Sequence, residues 1–131
     1  MASFSDYTEN LVLTYLFTNG SVTRPTAWYV GLFTGAPSDT GGGTEVSGSG
    51  YVRKVTGTIT VSGTGTTATN SAAIEFAAAS GGNWGTITHA AIFDAETSGN
   101  MLAWAPLTTQ RIINDGDVFR VPASSLTITL T

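Results

Sequence analysis

The sequence has no cysteine and a single histidine, His89, in 131 residues. The first absence excludes disulfides, thiolate nucleophiles and cysteine metal sites together. The second leaves no partner imidazole for a histidine-rich metal site and only one imidazole to serve as a base. Charge is scarce as well: Asp, Glu, Lys and Arg make up 11% of the chain, against roughly 25% in ordinary globular proteins. The five cations, Arg24, Arg53, Lys54, Arg111 and Arg120, are scattered, and the formal net charge is −4. Without a basic surface there is no counterion-release drive towards phosphate backbones, so DNA and RNA are not expected as partners. No apolar run approaches the roughly 18 residues of a bilayer span, and the N-terminus has neither the basic start nor the unbroken apolar core of a secretory signal. The expectation is a soluble chain beginning at Met1, with no membrane partner and no cofactor.

The missing charge is replaced by Thr, Ser and Gly rather than by disorder-promoting residues, while apolar residues still reach 41%, enough for a packed core. Sixteen Gly and four Pro imply many turns, and many turns in a short chain favour strands. The length suits one domain, read as residues 1–20 forming an N-terminal helix and cap, and 26–131 forming a β-sandwich. Ser3 to Thr18 is the one helical stretch: Phe4, Tyr7, Leu11, Val12, Tyr15 and Leu16 recur at three- and four-residue spacing. Ser3, Ser5 or Asp6 can cap it, Asp6 and Glu9 have the reciprocal capping spacing, and Asn19-Gly20 offers a left-handed exit. The packing expected of it is over an open end or face of the sheets.

Ala27 to Phe33 reads as a central strand covered on both faces, with Gly31 marking a bulge or the close approach of another backbone. Thr34 to Gly50 is long for a connection, a length usually tied to function or mobility. Further strands are expected at 51–61, with Val55, Ile59 and Val61 inward, at Ala72 to Phe76, and at Trp84 to Phe93. Glu96 to Asn100 turns strand 84–94 into strand 101–106 as a hairpin. Asn114-Asp115-Gly116-Asp117 carries the Asp-Gly hairpin signal and is expected to join Thr108–Ile113 to Val118–Val121. Ser125 to Thr131 alternates Leu126, Ile128 and Leu130 against threonine. About eight short strands with turns every 8–12 residues are the pattern of an all-β sandwich or a jelly-roll-like antiparallel barrel.

Chemistry finds little to build on. Asp94 and Glu96 flank one turn, Asp115 and Asp117 another, and Asp39 and Glu45 lie in the long loop; turns recruit such residues for their own backbone hydrogen bonds. Oxygen ligands for Ca²⁺ are available at Asp94, Glu96 and Asn100 or at Asn114, Asp115 and Asp117, but in neither case with the spacing of a calcium loop. Gly41-Gly42-Gly43 has no following Lys-Ser/Thr and no strand-to-helix setting, so it is not a phosphate loop. His89 lies mid-strand with no nucleophile elbow in the sequence, so no triad can be assembled. Trp28, Trp84 and Trp104 are read as core. What remains is a binding or structural role, with Ser38, Asp39, Thr40, Thr44, Glu45 and Val46 of the long loop as partner contacts.

Ser3-Phe4-Ser5-Asp6-Tyr7, the block Trp28 to Thr34, Gly42 to Val46, Gly50 to Arg53, Trp84 to His89, Ile92-Phe93-Asp94 and Gly116 to Arg120 together resemble a family of small virion proteins of tailed bacteriophages. Such proteins are commonly labelled tail-fibre proteins, while the size and class of this chain are similar to capsid decoration (cement) proteins. The resemblance implies a non-enzymatic virion protein. Its expected position is the capsid surface in preference to the tail, its expected partner the major capsid protein, and its admissible states include a homotrimer. The rival implication is a tail module that binds a host receptor or carbohydrate.

Overall fold

A computed structural model describes residues 2–130. Ser3–Phe4 (β1) leads into a helix, Asp6–Phe17 (α1), followed by Tyr29–Gly35 (β2), Thr44–Glu45 (β3), Lys54–Val55 (β4), Ile59–Val61 (β5), Thr67–Asn70 (β6), Ile74–Glu75 (β7), Gly85–Phe93 (β8), Met101–Ile113 (β9), Arg120–Val121 (β10) and Thr127–Thr129 (β11). The fold is all-β with one short helix, as the sequence pattern predicts, but the described residues form eleven strands rather than about eight. Strands without an expected counterpart are β1 and β3, two-residue pairings too short to leave a periodicity, and β6, whose four residues Thr67–Asn70 contain no large apolar side chain. The main sheet runs β1-β9-β8-β2-β3, with β4 also on β2; β10 and β7 form a second sheet, and β11-β6-β5 a third. All pairings are antiparallel. The main sheet does not close on itself, so the architecture is sandwich-like and the barrel alternative is set aside.

Alternation places the two faces of the main sheet in separate cores. Val30 and Leu32 look into the larger one with Ile74, Phe76, Trp84, Ile87, Ile113 and Phe119, all buried. Its centre is aromatic: Phe76 meets Trp84 and Phe119 edge-on, and Tyr51 meets Trp84 edge-on with centroids 5.3 Å apart, the geometry that ring quadrupoles favour. The opposite face carries Phe33, Ala91, Phe93 and Met101, with Trp104 packed against them. Only Trp84 of the three tryptophans is buried; Trp28 and Trp104 are partly exposed, Trp104 lying at the margin of the smaller core and Trp28 in neither core.

Several boundaries shift for physical reasons. The β8–β9 hairpin forms across the 94–100 turn as expected, but β9 runs through Pro106 to Ile113 without ending at 106. Pro106 falls where β9 has left β1 and where its register on β8 shifts, the settings in which a strand tolerates proline. The turn at 114–117 is present, closed by Asp117 N–H on the Asn114 carbonyl at 2.9 Å. It does not make the expected hairpin, because β10 pairs with β7 instead. The backbone of the turn is held by Ala79, which donates to Asp117 and accepts from Gly116. Of the expected strand from Ser125 to Thr131 only Thr127–Thr129 forms, as an edge strand; Leu130 is exposed and Thr131 lies outside the described residues. Val55 and Val61, expected inward, are exposed; Ile59 is half-buried.

The helix departs furthest from expectation. Ser5 is its N-cap, accepting from Thr8 N–H at 3.3 Å, so Asp6 is the first helical residue and the Asp6–Glu9 capping pair does not form. Thr18 ends it in an extended conformation and accepts the Gly20 N–H at 3.0 Å, where a left-handed glycine was expected. None of its residues is buried. It is tied down at its first turn alone, where Thr8 Oγ1 donates to the Leu102 carbonyl at 2.7 Å and Ser5 Oγ donates to that of Met101.

Candidate functional site

The long connection between β2 and β4 is a built structure. β3 returns along the edge of β2 near Phe33 and Gly35, while β4 occupies the same edge near Tyr29 and Val30. Leu32 lies between them. Its carbonyl accepts from Val46 N–H at 3.0 Å, and its N–H, with no strand opposite, donates to the Tyr51 hydroxyl at 2.9 Å. Tyr51 in turn donates to Glu45 Oε1 at 2.8 Å. Arg53 grips the same carboxylate with both edges of its fork, Nε to Oε1 at 2.7 Å and Nη2 to Oε2 at 2.8 Å. Its remaining nitrogen, Nη1, donates to the Ala95 and Ser98 carbonyls at 3.1 and 2.7 Å. One guanidinium therefore joins the 44–53 segment to the β8–β9 turn.

Gly31 gives this cluster room. A Cβ there would lie 2.9 Å from Glu45 Oε1 and 3.0 Å from Phe93 Cε2, so the close approach marked by this glycine comes from two side chains and not from another backbone. Tyr51 is pushed above the ordinary tyrosine range, first by burial and further by the neighbouring Glu45; the hydrogen bond from Leu32 and the Arg53 charge act the other way. A neutral phenol is what the cluster requires, since it must donate to the carboxylate.

The six loop residues predicted as partner contacts divide into two groups. Val46 is buried in the large core, Glu45 belongs to the ion pair, and Thr44 pairs with Gly35; these three shape the loop. Ser38, Asp39 and Thr40 form its exposed tip, where Ser38 and Gly41 exchange backbone hydrogen bonds at 3.0 and 2.9 Å. The tip is braced on both sides: Asp39 Oδ1 accepts from the Trp104 indole at 2.9 Å, and its carbonyl accepts from Asp6 N–H at 2.9 Å. Gly41, Gly42 and Gly43 all have positive φ, and a Cβ on Gly43 would strike Pro37 N at 2.8 Å. The glycine triplet is thus set by the path of the chain.

The other acidic clusters are spent on turns. Both Asp94 oxygens are taken by Asn100, from its N–H and its side-chain amide, and Asp117 accepts from Asn114 N–H at 2.9 Å. His89 Nδ1 pairs with Thr88 Oγ1 at 2.8 Å, and its ring tilts against Trp104. Every buried side-chain polar atom among the described residues has a partner within the protein, and those residues contain no cluster of three metal-ligating side chains.

One open feature was not legible in the sequence. A cleft of about 700 Å³ lies between the main sheet, represented by Phe4, Ile92 and Ala103, and the three-stranded sheet, represented by Ile59, Ala68 and Ile128; Trp28 lines it too, and Arg24 is its one charged lining residue. It explains why the alternating C-terminal strand carries apolar residues without a closed core behind them. The signal available was the alternation itself at Ile128 and Leu130. The Tyr51–Glu45–Arg53 cluster was also missed, although Tyr51 and Arg53 sit two apart in an extended segment and so share a side.

A protein-family model described as podophage GP4 fiber I protein gp80 matches residues 3–129. No curated protein matches the chain.

Proposed function

The chain belongs to the podophage GP4 fiber I protein gp80 family, and on that premise we propose that it is a structural component of a phage virion, of the tail-fibre type, that acts by binding rather than by catalysis. The observation that carries this reading is the near full-length family match, from residue 3 to residue 129. The geometry supports it: the polar clusters are struts within turns and sheet edges, and the open features include apolar grooves and a surface loop tip. Surfaces of this kind suit contacts with other virion proteins. Many copies, each burying a modest interface, would then hold through multivalency.

The expected position on the capsid surface rests on the small acidic all-β domain, the lack of catalytic chemistry and the long loop 34–50, none of which separates capsid from tail. The description of the family favours the tail. Immunogold labelling of intact virions, or an electron-microscopy map with this chain located in it, tests the reading. Label at the tail supports it; label confined to the outer shell overturns it in favour of decoration.

A further inference from the structure

We infer that the cleft between the two sheets receives helix α1 of a second copy of this chain. The helix is about 18 Å long at 1.5 Å per residue and its anchoring hydrogen bonds to the rest of the fold, from Ser5, Asp6 and Thr8, all lie at its start, so its distal turn stands free. That turn carries Leu13, Tyr15, Leu16 and Phe17, of which Phe17 is 76% and Tyr15 68% exposed. Four large exposed apolar residues within five positions mark an interaction surface. The cleft is its counterpart on the same molecule: an apolar groove, open to solvent, with Val61 and Leu130 at 64% and 55% exposure among its lining residues.

Charge identifies the occupant. The acidic groups of the helix, Asp6 and Glu9, lie in its first turn, while Arg24 is the charged group of the cleft. Among the described residues none of the three takes part in an ion pair. An acidic helix start and a cationic groove, both apolar elsewhere, are complementary in sign and in character. A helix laid in an apolar groove is a recurrent mode of recognition. Thr8 of the first turn borders the cleft but the distal apolar turn is no part of its lining, so turn and cleft are different surfaces of one chain; the contact is heterologous, and copies linked in this way form a ring or a filament. This inference stands on the geometry alone and does not depend on where in a virion the protein sits.

The test uses the full chain and measures mass by sedimentation equilibrium across concentration. The wild type is expected to associate. The double variant Leu16→Asp with Phe17→Asp, and the double variant Val61→Asp with Leu130→Asp, each alter strongly exposed residues and should keep the wild-type circular dichroism. Each is expected to weaken self-association about 30-fold or more, as loss of a central apolar anchor does. Mixed in equal amounts, the two variants retain one intact helix and one intact cleft between them, so the mixture is expected to form a heterodimer and nothing larger. Arg24→Glu should weaken association and be restored by a partner carrying Glu9→Arg. A wild type that stays monomeric up to millimolar concentration, variants that associate unchanged, a mixture that stays monomeric, or a cleft that instead takes up a different virion protein would each overturn the inference.

Discussion

The guanidinium of Arg53 lies over the ring of Phe93, with Cζ 3.4 Å from the ring centroid, while the same group grips Glu45 with two nitrogens. Ion pair, cation–π contact and two carbonyl hydrogen bonds thus converge on a side chain only 10% exposed. Removing one partner of a well-buried pair leaves an uncompensated charge, at a cost of about 3–5 kcal/mol. Arg53→Met is expected to lower unfolding stability by about that much, read from denaturant midpoints. Arg53→Lys should rescue little, because an ammonium can neither grip the carboxylate at two points nor lie flat on the ring. Full rescue by lysine would show that charge alone matters here.

Gly31 is expected to tolerate no side chain. Glu45 is fixed by Arg53 and Tyr51, and Phe93 by Arg53 above it and Phe33 beside it. Neither can yield to a Cβ placed 2.9–3.0 Å away, so Gly31→Ala should destabilise by about 1–3 kcal/mol through overpacking. Gly41→Ala is the control: its Cβ meets nothing within 4 Å but its φ is +99°, so its cost should be about 1 kcal/mol, from backbone conformation alone. Equal losses at the two positions would remove the packing argument.

Tyr51 makes stability depend on alkaline pH. Burial raises its folded-state value, so its contribution is complete below the unfolded value of about 10 and declines as pH rises above that towards the folded value. From this one group the slope is about 1.4 kcal/mol per pH unit. Tyr51→Phe leaves Leu32 N–H without its acceptor and should cost about 1–3 kcal/mol near neutrality. Above pH 10 the difference between the two proteins should shrink. Urea titrations from pH 7 to 11 read both, and curves that stay parallel would show that Tyr51 does not ionise differently in the folded state.

The elements that could be read from the sequence are those whose local pattern and tertiary role agree. The β8–β9 hairpin follows from a polar turn between two apolar runs, and Ile74 and Phe76 alternate inward against Glu75 as their spacing requires. Where a short-range signal competes with a distant partner, the partner wins. Asp115-Gly116 does turn the chain, but Arg120 and Val121 pair with Glu75 and Ile74, more than forty positions back. The helix shows the complementary limit: its apolar spacing is present at Leu11, Val12, Tyr15 and Leu16, yet no residue of it is buried. Spacing indicates that a face needs cover, not which surface supplies it. Of the candidate contact residues, Val46 is an apolar residue in a polar loop and could have been assigned to the core on that ground. The exposed tip at Ser38, Asp39 and Thr40 carried no comparable distinction.

Asn70 offers the sharpest test of how the three-stranded sheet is attached. It is fully buried, and all the bonding capacity in use on its side chain is directed at backbone: Nδ2 donates to the Ala72 and Pro122 carbonyls at 2.8 and 3.0 Å, and Oδ1 accepts from Leu126 N–H at 2.9 Å. β6 is thereby clamped to the segment between β10 and β11, the same sheet that walls the cleft. Asn70→Asp keeps the shape but puts an oxygen against two carbonyl oxygens, so either the carboxylate must take up a proton or the clamp opens. The expected loss near neutral pH is about 3 kcal/mol or more, since a buried group is left both charged and mispaired. Protonation would supply one donor again, so acidification towards pH 4 should narrow the gap to the wild type. Asn70→Ala, which leaves three backbone groups unpaired without adding charge, should show a deficit that does not narrow in this way. Hydrogen exchange at 67–70 and 127–129 localises the effect: accelerated exchange there, with β8 and β9 unchanged, is the expected outcome. Uniform acceleration through the main sheet would mean that the two layers unfold as one unit and that Asn70 is no local clamp.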